Sequence, residues 1–233
     1  MIKVVAFDLD NTLWSSDPVI RMAETKLNKW LKQNVPQLKY DTTSMRTLRR
    51  SVLEKYPDLS WQVTKLRSHI IAKALMLSGI ESSSVNKITT AAMKVFLEAR
   101  NEIELFDGAI DVIKMLVKKY TVGAITNGNA DVHRTLLAPY FSFSFTAEEV
   151  GSPKPSADIF YHALSYTNCK AHEMIYVGDD PFLDIDAANY LGAHTVLLTN
   201  NEHRTSGKTD ATEIIRDIRT LPAAISRIAK LLD

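Results

Sequence analysis

Cysteine is the first thing this chain has little of: 233 residues hold one, Cys169. A single thiol excludes an internal disulfide and fits a reducing compartment, and a lone cysteine reads as a small core hydrophobe. An excess of either charge is also missing. Lys and Arg total 28 against 27 Asp and Glu, a net charge of +1, which argues against general binding to nucleic acid or membrane surfaces. No apolar run approaches about 18 residues, so no transmembrane helix is expected. No leader-like arrangement of basic, apolar and small residues precedes Asp8, and the expected location is cytoplasmic. No Cys/His set has zinc spacing. An EF-hand loop would need glycine at position 13, which is Leu13. Gly207-Lys208-Thr209 imitates the end of a P-loop, but Glu202 stands where its first glycine belongs. Glycine itself is scarce in one long region, where only Gly79 occurs between residues 15 and 105.

What is present begins with Ile2 to Phe7, short, β-branched and nearly uncharged, which reads as a strand buried on both faces. It stops at Asp8 and Asp10, whose side chains point the same way if the chain stays extended. Two such carboxylates about 4 Å apart repel by about 4 kcal/mol at an effective dielectric near 20. A cation or an anion-processing reaction would justify that cost, and a solvated Asp-x-Asp turn is the plainer alternative. The glycine-poor region then reads as helices: one opening at Asp17-Pro18, others over about 43–56, 60–78 and from 82–84 onward. From Phe106 the pattern alternates. Helix 108–119 leads to strand 121–125, helix 130–138 to strand 142–145, helix 156–167 to strand 174–177, and helix 183–190 to strand 194–198. A polar loop is expected over 200–210 and an amphipathic helix over 221–232. Such alternation predicts an α/β fold: a Rossmann-like, mostly parallel sheet from residues 1–14 and 106–233, with helical insertion 15–105.

In an open parallel sheet ligands bind at the carboxyl ends of the strands. Three predicted strands stop at polar residues there: Asp8 and Asp10; Thr126-Asn127-Gly128; and Asp179-Asp180, with Asp184 a helical turn later. Lys154 lies in a loop between Pro153 and Pro155. Each part has an ordinary reading alone, as turn, solvated lysine or helix cap. Brought to one edge, the carboxylates need a divalent cation, and oxygen ligands favour Mg²⁺ over zinc. Trp30, Tyr56 and Trp61 in the insertion could stack on a substrate ring, though core packing is the ordinary use of such residues.

Asp8-Leu9-Asp10-Asn11-Thr12, Thr126-Asn127, Lys154 and Gly178-Asp179-Asp180-Pro181-Phe182-Leu183-Asp184 resemble, in order, the four motifs of the haloacid dehalogenase-like phosphohydrolases. The resemblance spans the whole chain and implies that the insertion is a helical cap, or lid. It also implies a mechanism. Asp8 would be the nucleophile that forms an aspartyl-phosphate, and Asp10 the general acid and then base. Mg²⁺ would be held by Asp8, the Asp10 carbonyl, Asp179 and Asp184. Thr126 with the neighbouring amides of Asn127 and Gly128 would bind phosphoryl oxygens, and Lys154 would neutralise charge. Asp180 would stand behind the metal ligands. True 2-haloacid dehalogenases lack an acid at the Asp10 position, since a departing halide needs no proton.

Asp17-Pro18-Val19-Ile20 and Ala124-Ile125-Thr126-Asn127-Gly128-Asn129-Ala130 are similar to bacterial phosphatases of riboflavin synthesis. Those hydrolyse 5-amino-6-(5-phospho-D-ribitylamino)uracil and flavin mononucleotide (FMN); Asn11 departs from many of them, which carry a second acid there. The implied partner is a small-molecule phosphate monoester, with no nucleic acid and no membrane, and the protein is expected as a monomer or homodimer. Nucleoside 5′-monophosphates and sugar phosphates are the alternative substrates. A phosphomutase, a 2-haloacid dehalogenase and an inactive phosphate-binding protein are the alternative functions.

Overall fold

The computed structural model describes residues 1–38, 42–199 and 209–232. Residues divide into two compact units: Met1–Ser16 with Ile103–Asp233, and Asp17–Glu102.

In the first unit, the described residues form one six-stranded sheet: β1 (Val4–Phe7), β2 (Thr121–Thr126), β3 (Phe143–Thr146), β4 (Met174–Gly178), β5 (His194–Leu198) and β6 (Glu213–Ile215). The strand order is 3-2-1-4-5-6 and every pairing is parallel. β1 is central and at most 1% exposed along its length, which is why it reads as a continuous apolar run rather than an alternating one. The order reverses direction at β1, so β1 and β4 form the switch point where open α/β sheets leave a crevice. Helices α5 (Ala109–Leu116), α7 (Asp158–Thr167) and α9 (Leu221–Lys230) pack on the sheet. Each buries an apolar stripe such as Leu221, Ala224, Ile225 and Ile228, at about 1.5–3 kcal/mol for each large aliphatic side chain.

The second unit contains α1 (Ser16–Asn34, its first residue shared with the sheet unit), α2 (Thr42–Lys55), α3 (Val63–Leu77) and α4 (Ser82–Arg100). Ala23, Leu27 and Leu31 of α1 meet Ile71 and Leu75 of α3 and Ala92 and Phe96 of α4, with Trp30 partly buried against them. Leu48 and Val52 of α2 form a second cluster with Leu59, Leu66 and Ile70.

Several local expectations are corrected. No α-helix forms over 130–138; the chain makes a single 3₁₀ turn, Val132–Arg134. Asp131 accepts from His133 N, and the Thr135 hydroxyl donates to Val132 O and accepts from Leu137 N. Those side chains supply locally the partners that a helix would. The helix expected over 183–190 is a π-helical turn, Pro181–Asp186, followed by the four-residue α8 (Ala187–Tyr190). A short helix α6 (Ala147–Val150) carries a capping box between Thr146 and Glu149, and β6, three residues long, is too short to show a period. Cys169 is only partly buried, accepting from the Thr167 hydroxyl at 3.1 Å. Residues 200–208 of the expected polar loop, and with them most of the P-loop mimic, lie outside the described residues.

Candidate active site

β1 delivers Asp8 to the sheet's carboxyl edge, where it is 7% exposed. The chain then turns tightly. Leu13 N donates to Leu9 O, Asn11 N donates to Trp14 O, and Asn11 adopts φ 62°. Asparagine, like aspartate, is among the few residues that tolerate this left-handed conformation. Asn11 Oδ1 also accepts from Ser16 N and Ser16 Oγ. The turn places Asp10 so that its Oδ1 accepts from the Trp14 indole at 3.0 Å.

β2 ends at Thr126, 1% exposed, whose Oγ1 accepts from Gly128 N at 3.0 Å. That bond leaves the Thr126 proton available to donate. The Asn127 side chain clamps the lysine loop in both directions: Nδ2 donates to Lys154 O at 2.9 Å, and Lys154 N donates to Oδ1 at 2.7 Å. β4 ends at Gly178, where an added Cβ would overlap the Asp184 carboxylate. Asp184 Oδ2 accepts from Asp179 N and Asp180 N, while Asp179 Oδ1 accepts from the buried Thr12 hydroxyl at 3.2 Å. The Asp180 carboxylate caps the π turn, accepting from Phe182 N and Leu183 N.

Lys154, 4% exposed, joins these strand ends. Its Nζ donates to Asp8 Oδ1 at 2.7 Å, to Asp184 Oδ1 at 2.6 Å and to Tyr176 Oη at 2.9 Å. An ammonium has three protons, so each has an acceptor. Tyr176, fully buried in β4, donates in turn to Ile125 O at 2.6 Å. Burial opposes charge on Lys154, but Asp184 and Asp8 outweigh it and hold the ammonium well above its ordinary value. Burial, reinforced by Asp184 and Asp179, pushes the Asp8 carboxyl upward against the pull of Lys154. Burial and then Asp184 raise Asp179 to about 6. Such upward shifts mark anionic groups crowded in low dielectric with too little positive charge.

Asp8, Asp179 and Asp184 each offer a carboxylate oxygen within 4.8 Å of the others. An all-oxygen set of this kind suits a hard divalent cation, and the crowding fits one. Asp184 already takes Lys154 on one oxygen and two main-chain amides on the other, so Asp8 and Asp179 are the better placed direct ligands.

All eight residues singled out from the sequence (Asp8, Asp10, Thr126, Asn127, Gly128, Lys154, Asp179 and Asp184) line one cavity of about 220 Å³. Sequence reasoning did not single out Trp14 and Tyr176 at this site. Tyr176 had a readable signal as the one side chain with a polar tip within Met174–Val177, since a buried phenol needs a partner.

The chain matches the family model described as haloacid dehalogenase-like hydrolase over residues 2–192. It is 32% identical over 188 residues to the 5-amino-6-(5-phospho-D-ribitylamino)uracil phosphatase YigB of Escherichia coli strain K12, covering 80% of this chain and 79% of that protein. It is 26% identical over 212 residues to a glyceraldehyde 3-phosphate phosphatase of Methanocaldococcus jannaschii, covering 88% of each. The crystal structure of a 2-haloacid dehalogenase from Pseudomonas syringae pv. tomato DC3000 superposes with a TM-score of 0.92 at 32% identity, covering 97% of this chain and 99% of that one.

Proposed function

The chain belongs to the haloacid dehalogenase-like hydrolases and is a phosphoric monoester hydrolase, and we propose that it cleaves a small-molecule phosphate ester through an aspartyl-phosphate on Asp8. The observation that carries the reading is the buried Asp8–Lys154–Asp184 array with Asp179 beside it and Asp10 in the same cavity. Residues 1–14 and 106–233 are the catalytic core of this proposal and 15–105 the cap.

An Asp8 oxygen bonds to phosphorus as the ester P–O bond breaks, and the ester oxygen leaves with a proton from Asp10. Asp10 then takes a proton from the water that attacks phosphorus, which releases inorganic phosphate and restores Asp8. The Thr126 hydroxyl donates to a phosphoryl oxygen, and Gly128 acts by orienting that hydroxyl. Lys154 stabilises Asp8 as the anion. Asp8, Asp179 and the Asp10 carbonyl would hold Mg²⁺, with Asp184 behind them. The bound ion would shield the attacking carboxylate from the negative phosphate.

A cavity of about 220 Å³ falls below the roughly 300–1,000 Å³ of sites that enclose a whole organic ligand. It suits a phosphoryl group and an ion, with the organic part of the ester outside it. Similarity to YigB favours 5-amino-6-(5-phospho-D-ribitylamino)uracil as substrate; the short motifs that resemble riboflavin-synthesis phosphatases add FMN, and the single thiol fits action in the cytoplasm. Similarity to the glyceraldehyde 3-phosphate phosphatase favours a sugar phosphate as the second reading. Asp10 speaks against dehalogenation, for which a proton donor has no use. The test is phosphate release from 4-nitrophenyl phosphate with Mg²⁺, its loss on chelation and in Asp8→Asn, then kcat/KM across a panel of monoesters. Halide release from 2-chloropropionate without phosphate release from any ester would reverse the reading.

A further inference from the structure

Trp14 is fully buried, yet its indole N–H is not spent on the backbone. It donates to Asp10 Oδ1 at 3.0 Å. The backbone that carries the ring is pinned. Trp14 O accepts from Asn11 N at 2.7 Å, Trp14 forms single β-bridges with Asp10 and with Leu105, and the preceding Leu13 O accepts from Phe106 N at 2.9 Å. Two separate stretches of main chain therefore fix the residue whose side chain holds the second acid of the Asp8/Asp10 pair.

The chemistry of the indole makes the contact directional. An indole N–H donates and never accepts, so it can hold Oδ1 only as an acceptor. The carbonyl oxygen of a carboxylic acid is its better acceptor, so this contact favours the Asp10 proton on Oδ2. We infer that Trp14 is a positioning residue for proton transfer: it fixes the rotation of the Asp10 carboxyl and selects Oδ2 as the oxygen that gives a proton to the leaving group. This inference rests on the phosphatase reading above. In the step concerned, the Asp8–phosphorus bond forms, the ester P–O bond breaks, its electron pair goes to the ester oxygen, and that oxygen takes the Oδ2 proton.

A residue that acts only by filling space would lower turnover of every ester alike. A residue that orients the acid matters in proportion to how much the leaving group needs a proton. Nitrophenolate leaves readily without one, whereas an alkoxide does not. Trp14→Phe keeps a buried ring and removes the donor. Its kcat/KM for an alkyl phosphate such as glycerol phosphate is expected to fall by about tenfold or more, and by less than about threefold for 4-nitrophenyl phosphate. In an Asp10→Asn background the same substitution should cost almost nothing further, because the group it orients is gone. If Trp14→Phe does not fold, benzothienylalanine at position 14 replaces the N–H by sulfur at nearly constant volume and carries the same test. Equal losses on both esters, or full additivity with Asp10→Asn, would overturn the inference and leave the phosphatase intact. Absence of wild-type turnover of either ester would overturn the phosphatase reading first and this inference with it.

Discussion

Lys154 has three protons and three acceptors, Asp8, Asp184 and Tyr176. Its positive charge is therefore directed at Asp8, the proposed nucleophile, and direct contact with the phosphate would require one of those bonds to break. Lys154→Met should lower kcat by about 10²–10³, the usual cost of removing one preorganised electrostatic group. It should also destabilise the fold by about 3–5 kcal/mol, because it strands buried carboxylates; phosphatase assays and urea titrations read the two effects separately. A Lys154→Met protein with near-normal kcat would remove the lysine from the account. At this scale the acids and the lysine were legible in the sequence because charge at the end of an apolar run is conspicuous. Trp14 was not, because an aromatic in an apolar segment looks like packing until the partner of its N–H is seen, and Tyr176 was marked only by its polar tip within an apolar strand. Asn127 was legible as a site residue, but its use as a clamp on the Lys154 backbone depends on a contact between residues 27 apart in sequence.

Between elements, the register of β1 against β4 decides whether Asp8 and Asp179 meet. Val4 pairs with Met174 and Phe7 with Val177, and the pairing is tied at its start by Lys3 N to Glu173 O at 2.8 Å and by Lys3 Nζ to the Glu173 carboxylate at 2.6 Å. The amide of Lys170 and then the Lys3 ammonium hold the Glu173 carboxyl down at about 2. A carboxyl held below its ordinary value stabilises the fold above that ordinary value, near 4.5, and the contribution is lost as pH falls toward about 2. Thermal melts of wild type and Glu173→Gln should therefore differ most near neutral pH and converge as the solution is acidified below about pH 4.5. A difference that stays constant with pH would mean that the carboxylate charge is not what ties the strands. Strands and long helices were readable here from apolar period and caps. The turn at 132–134 and the strand 213–215 were not, since local side-chain bonding defeated the first pattern and three residues are too few to establish the second.

For the whole molecule, the chain builds its sheet from Met1–Ser16 and Ile103–Asp233 and places a separate helical unit, Asp17–Glu102, between them. Scarce glycine and unbroken helical spacing made that region readable as helices, whereas the strand order 3-2-1-4-5-6 was not readable, because alternation predicts a parallel sheet without saying which strands are neighbours. That order sets β1 between β2 and β4, and it brings carboxylates more than 160 residues apart into one cavity. The central claim is that this convergence makes Asp8 a nucleophile toward phosphorus, and trapping the intermediate tests it most directly. Enzyme mixed with Mg²⁺ and a ³²P-labelled ester, quenched in acid within one turnover and digested, should carry label on the peptide containing Asp8, and Asp8→Asn should carry none. Label on any other peptide, or inversion of configuration at phosphorus over a full turnover, would contradict it.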